Sequence, residues 1–212
     1  MRARWLLAFL VLAGTAHRVE GQVIEFEQNG LRYQTLTRNG VTIMFTFLPT
    51  QLKNYGILQV AVSNGSSVAW TVRPEDFSYR RTDGSVLHPL PPRKVVERML
   101  ESAGRNEVIR LVSAYELGLY GLSRLNSTSG YEKRRQQALA EVSSARLKAA
   151  SAASAVVFVA SKMQPGQSTD GALFFELDGR PLGEGVLTVR AAGEVFTFTS
   201  AAPQLSFAER QP

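Results

Sequence analysis

The chain is expected to be mainly β: an antiparallel sandwich interrupted by a block of α-helices. Three observations predict this. Between Val23 and Leu87, short apolar segments follow one another with a turn signal about every ten residues. At Pro89-Leu90-Pro91-Pro92 the apolar spacing changes to a helical one, and it persists to about Ala153. β-Branched and aromatic runs then return and continue to Phe198. Neither β half makes a closed sandwich by itself, so the reading is one β domain over 22–199 with a helical insertion at 89–153 and a loose tail at 200–212.

Each element has a local cause. Segments 31–38 and 41–48 flank Asn39-Gly40, two residues that tolerate the positive φ of a type I′ turn, which predicts a hairpin. The second arm sets Val41, Ile43, Phe45 and Phe47 against Thr42, Met44 and Thr46, so one face is apolar. Strands are expected at 57–62, 68–72, 77–79 and 86–87, separated by Asn64-Gly65-Ser66-Ser67 and Thr82-Asp83-Gly84. Val95, Val96, Met99, Leu100 and Ala103 then sit at helical spacing with Gly104 as a stop. A second helix is predicted over 107–122, with Val108, Leu111, Val112, Tyr115, Leu119 and Leu122 on one stripe. Ser129 and Glu132 form a capping box that opens a third, alanine-rich helix reaching about Ala153. Strands are expected again at 155–160, 172–177, 186–190 and 194–198.

The first residues bear on compartment. Met1-Arg2-Ala3-Arg4 precedes an uncharged run at 5–16 that ends in small residues, the pattern of a secretory signal peptide over 1–21. A spanning helix needs about 20 apolar residues, so removal is expected after Ala16 or Gly21, with retention as an anchor as the alternative. The mature protein is then expected in a bacterial periplasm or outside the cell. With no cysteine in the chain, disulfide frameworks, thiolate metal sites and cysteine nucleophiles are excluded.

The formal net charge of +6, from 24 Lys and Arg against 18 Asp and Glu, is unevenly spread. Residues 88–150 hold eleven basic and six acidic side chains, residues 1–21 three and one, and the remaining β portion ten and eleven. The basic surplus of the mature chain therefore belongs to the insertion. Its densest run, Lys133-Arg134-Arg135, opposes the dipole of the predicted third helix, and reads either as a solvated face or as a partner surface. Nucleic acid is not the expected partner: Tyr115 falls on an apolar stripe, and an exported protein rarely meets nucleic acid.

Chemistry is sparse. His88 stands between Leu87 and Pro89 with no nucleophile motif nearby, and neither a G-x-S-x-G, an S-x-x-K nor a phosphate-cradling glycine loop occurs. The carboxylate pairs Glu25 and Glu27, Glu75 and Asp76, and Glu176 and Asp178 lack a calcium-loop spacing, and turn chemistry accounts for Asp83-Gly84 and Asp178-Gly179. No catalytic residue, metal or cofactor is expected, and the protein is read as a non-enzyme. The segment 114–122 is apolar on more than one side and carries Gly118 and Gly121. Packed inward it is core; left open, Tyr115, Leu119 and Tyr120, with Lys133, Arg134 and Arg135 as a basic rim, would meet a protein or envelope partner. The alternative is a carrier holding a small apolar ligand between insertion and sandwich.

The residues 60–66, Trp70, Pro74-Glu75-Asp76-Phe77, Asp83-Gly84, Pro165-Gly166, Gly171 and Phe174-Phe175-Glu176 together resemble bacterial secreted immunoglobulin-like domains of the immunoprotective extracellular antigen type. The resemblance covers about 90 of 212 residues. It implies an immunoglobulin-like sandwich and a non-enzymatic role, and it supplies no catalytic residues. The helical block departs from the plain sandwich of that family.

Overall fold

The computed structural model describes residues 21–49, 54–102, 105–122 and 145–200. Its first strands are β1 (Ile24–Gln28), β2 (Leu31–Arg38), β3 (Val41–Phe47) and β4 (Tyr55–Asn64). After β5 (Trp70–Val72), a 3-10 turn (Pro74–Asp76), β6 (Phe77–Arg81) and β7 (Val86–Leu87) come the helices α1 (Pro92–Ser102), α2 (Arg105–Leu122) and α3 (Ala145–Val156). The chain then returns to β8 (Ser161–Met163), β9 (Ser168–Glu176), β10 (Gly185–Ala191) and β11 (Glu194–Ser200). The protein is thus mainly β with antiparallel pairing, and its helices fall between the two β portions of the chain. Among the described residues no helix is long and apolar enough to cross a membrane.

The Asn39-Gly40 hairpin forms as its sequence dictates, with φ of 46° and 77° at the two positions. Asn29-Gly30, at 53° and 73°, makes the same turn between β1 and β2. Strands β1, β2, β3, β4 and β9 lie in that order in one sheet, and β11, β10, β6 and β7 in a second. The two sheets share a core. Val41, Ile43 and Phe45 of β3 and Leu58, Val60 and Val62 of β4 meet Phe77, Tyr79, Leu187, Val189, Phe196 and Phe198 from the facing sheet.

Because side chains alternate along a strand, β3 and β4 send a second set to the opposite face, and the helices cover it. Met44, Ile57, Ala61, Ala172 and Phe174 are buried there against Val95 and Met99 of α1, Leu111 and Tyr115 of α2, and Ala153 and Val156 of α3. The molecule is therefore layered sheet on sheet on helix, with a core on each side of the five-stranded sheet.

Both ends of the helical block are pinned to β9. On entry Pro89 bridges to Phe175, and the Leu90 amide donates to the Phe174 carbonyl at 2.7 Å. On exit Val157 bridges to Ala172, and the Phe158 amide donates to the Ala172 carbonyl at 2.9 Å. Phe158 then turns through to the sandwich side and packs edge-on against Phe77. Gly171 permits this crossing, since a methyl group built on it would stand 2.5 Å from the Phe158 Cα.

Several expected boundaries shift. The strand expected at 155–160 is corrected: α3 continues to Val156, and only Val157 makes a bridge. Tertiary packing outweighs the β-branched composition here, because Ala152, Ala153, Ala155 and Val156 are all buried as parts of α3. Ser200, placed in the tail by sequence, is the last residue of β11. The capping box at Ser129 and Glu132, and the tail 201–212, lie outside the described residues, as does the proposed signal segment up to residue 20.

Candidate contact site

Two features of the helical layer bear on contact: the seam where α2 meets the sheet, and a trough where α1 meets the chain leaving α3. At the seam the sheet is polar. Tyr33, Thr46 and Gln59 stand in one row across β2, β3 and β4, and Asp170 stands one row along on β9 beside Ala61. All four are buried, Gln59 completely and Asp170 with 2% exposed. The α2 helix meets Tyr33, Gln59 and Asp170 through polar contacts, while the Thr46 hydroxyl donates to the Arg32 carbonyl at 2.8 Å. The Tyr33 hydroxyl donates to the Gly118 carbonyl at 2.9 Å, and the Tyr115 hydroxyl donates to Asp170 Oδ2 at 2.5 Å. Gln59 Nε2 donates to the Tyr115 carbonyl at a long 3.3 Å, while Gln59 Oε1 is buried with no hydrogen-bond partner among the described residues. That oxygen lies directly under Gly118, where an added methyl group would come within 1.6 Å of it. Burial pushes the Tyr33 hydroxyl up to about 12, so it remains a neutral donor at any ordinary pH.

The trough, about 450 Å³, is lined by Pro92, Arg93, Val96 and Glu97 of α1, Ser154 of α3, and Val157 and Val159 beyond it. Positions 92, 93, 96 and 97 face it together because they are three and four apart on one helix. Its floor is apolar and its rim charged. Glu97 pairs with Lys94 at 3.1 Å and Arg93 at 3.0 Å, and these partners, Lys94 foremost, hold its carboxyl below the usual range. Such a carboxylate stays ionised and neutralised, and does not suit proton transfer near neutral pH. The arrangement suits docking of a small apolar group with a polar neighbour.

The residues singled out by sequence are scattered. Tyr115 is fully buried and faces the sheet, not solvent. Leu119 is half-buried against the same core. Tyr120 belongs to α2, but its side chain lies outside what is described, and Lys133, Arg134 and Arg135 fall outside the described residues altogether. Among the described side chains of α2, the exposed large apolar ones are Ile109 and Leu117.

The acidic residues serve mainly turns and ion pairs. Asp83 accepts from the Ser85 amide and hydroxyl, which holds its carboxyl down, and Asp76 accepts from the Arg73 amide. Asp178 lies between Arg180 and the buried Arg81, and the Arg180 guanidinium foremost drives its carboxyl far below the usual range. Glu25 bonds to Gln34 Nε2, Glu176 is exposed, and His88 is exposed at the junction ahead of α1. Among the described residues no three His, Asp or Glu side chains cluster as metal ligands would.

Sequence reasoning passed over Gln59, Asp170 and Tyr33, and over Pro92, Val157 and Val159 as parts of a trough. The first two carried a signal: a glutamine inside 57–62 and an aspartate inside 168–176, both otherwise apolar or small, mark polar groups headed for burial. Comparison with protein-family models, curated proteins and solved structures finds no match to this chain.

Proposed function

We infer that the protein is an exported, non-enzymatic binding protein of the bacterial periplasm or cell exterior, in which an immunoglobulin-like β body carries a helical layer that meets a protein or envelope partner. One observation carries the contact reading: the apolar-floored trough between α1 and the chain leaving α3 opens on the helical face, with Val96 and Val159 half-buried in it. The two antiparallel sheets with a common core support the immunoglobulin-like body. The basic surplus of the insertion sequence supports a partner that carries acidic groups. The carrier alternative draws less support, because the described interface between helices and sheet is filled by Met44, Met99, Leu111, Tyr115 and Phe174.

The test uses point variants, since removing the helices would bare Tyr33, Met44, Ile57 and Phe174 to water. A photo-crosslinking residue is placed at Val96 in the trough and, for comparison, at Val86, which is 51% exposed on the sandwich. Crosslinked adducts with envelope material at Val96 and not at Val86 are expected. Equal labelling at both, or none at Val96, would remove the trough as a contact site. Intact mass of the product from a bacterial host should begin at His17 or Gln22, and a cytoplasmic product retaining Met1 would reject export.

A further inference from the structure

We propose that α2 is a displaceable lid: it lifts from the sheet as a unit while the β sheets stay folded, and lifting bares Tyr115 and Leu119. The motion does not depend on the contact reading above. The cost of uncovering a surface scales with the apolar area returned to water. Of the sheet residues that meet α2, Tyr33, Gln59 and Asp170 bond to it through polar atoms that are hydrated on exposure. The apolar side chains that α2 lifts with it are Leu111 and Tyr115, with Ala114 and Leu119 beside them.

The docked state of α2 is also imperfectly paired. Gln59 Oε1 is wholly buried without a partner, and a buried acceptor in that condition carries a desolvation penalty that water removes on opening. The Gln59 donor bond is long, at 3.3 Å. The bonds from Gln59 and Tyr33 end on carbonyls inside α2, at Tyr115 and Gly118, which keep helical partners when the seam parts. Another joins the side chains of Tyr115 and Asp170.

The fit at Gly118 makes the lid testable. With no side chain there, the helix backbone rests directly on the Gln59 amide. Gly118→Ala therefore strikes the seam alone, and shortening Gln59 to Ala restores the space.

Hydrogen exchange of the full chain by itself, with no partner present, reads the motion. An undocked helix of this length is marginal in water, so its amides exchange soon after it lifts. Amides of α2 are expected to exchange at least about 100-fold faster than those of β3 and β4. Gly118→Ala should accelerate α2 by a further tenfold or more with β3 and β4 unchanged, and Gln59→Ala in that background should reverse the acceleration. Gln59→Met, which keeps the length and removes the orphan oxygen, should slow α2; it serves if Gly118→Ala does not fold. Exchange of α2 at the rate of β4, acceleration of every element together by Gly118→Ala, or no slowing by Gln59→Met would each overturn the proposal. These outcomes are separate from the Val96 crosslink, which can succeed with a rigid α2 or fail with a mobile one.

Discussion

The two faces of the five-stranded sheet are built from the same strands by different means. On the sandwich side rings interlock: Phe45 meets Phe198 at 5.1 Å, Phe77 meets Phe158 at 5.4 Å, and Tyr79 meets Phe175 at 6.2 Å between centroids. On the helical side ring pairs are fewer among the described residues, Phe26 on Tyr33 at 5.1 Å and Tyr55 against Phe174 at 6.5 Å, and the other buried residues are largely alanine, methionine and single aliphatics, broken by the polar row of Tyr33, Thr46 and Gln59. Interlocked aromatics contribute both large buried area and a preferred geometry, while alanine and methionine adapt to several packings. A well-determined body thus carries a more adaptable layer on the face that bears the trough.

Adjacent residues of β3 put this difference to its strongest test, because Phe45 points into the sandwich and Met44 into the helical layer. Phe45→Ala is expected to cost about 3–5 kcal/mol, and Met44→Ala about 2 kcal/mol, since flexible neighbours collapse into the smaller cavity. Urea unfolding followed by circular dichroism measures both. Equal costs would break the comparison.

The crossing at Gly171 comes next, because there the chain leaving the helical core enters the sandwich core. Gly171→Ala drives a methyl group against Phe158 Cα and amide nitrogen, which are main-chain atoms that cannot swing aside. A loss of about 3 kcal/mol is expected, with the Phe158 ring leaving the sandwich and the exit of α3 loosening. If near-ultraviolet circular dichroism of the folded variant matches the parent, the crossing does not couple the cores.

How much of this was legible beforehand depends on how local each cause is. Asn39-Gly40 fixes a hairpin within four residues, and the sequence reading places it correctly; Asn29-Gly30 carries the same signal and was passed over. The apolar 57–62 run also reads as a strand, and its burial on both faces announces a cover on each side. That β9 is its partner and helices its second cover depends on contacts far apart in sequence, which periodicity does not encode. The apolar stripe through Tyr115 and Leu119 was visible; that Tyr115 turns wholly inward onto Asp170 was not, because an apolar stripe looks the same whether a partner or the chain's own sheet covers it. At 155–160, Val-Val-Phe-Val favoured a strand, yet the alanines before it needed a helix to reach the sheet.

A smaller effect is expected at the rim of the sandwich. Asp178 has a folded pKa held well below its unfolded value near 3.9, chiefly by Arg180. A group depressed in this way contributes stability that is present above the unfolded value and lost as pH falls through the folded one. Asp178→Asn should therefore reduce stability at pH 7 and flatten its decline below about pH 4, with both effects shrinking in high salt because the pair is exposed. Acid unfolding curves that superimpose for parent and variant would show that the clamp joining Asp83, Arg180, Asp178 and Arg81 does not hold the sandwich end.

The finest comparison of the two faces sets Tyr79 on one against Tyr33 on the other. Burial pushes both hydroxyls up to about 12, Tyr79 with a small opposing pull from Ser200. Their folded values lie above the unfolded value of about 10, so each contributes stability that is intact below pH 10 and lost as pH rises through 12. A static structure would have them ionise together. If α2 lifts, Tyr33 loses its Gly118 acceptor and gains water in the open form, so its titration moves down toward 10 while that of Tyr79, sealed between two sheets, does not. Absorbance at the tyrosinate band, compared among the parent, Tyr33→Phe and Tyr79→Phe, separates the two. Tyr33 ionising first is the expected order. Coincident titration would mean that the helical face is as tightly closed as the sandwich, and the reverse order would place the weaker face on the other side of the sheet.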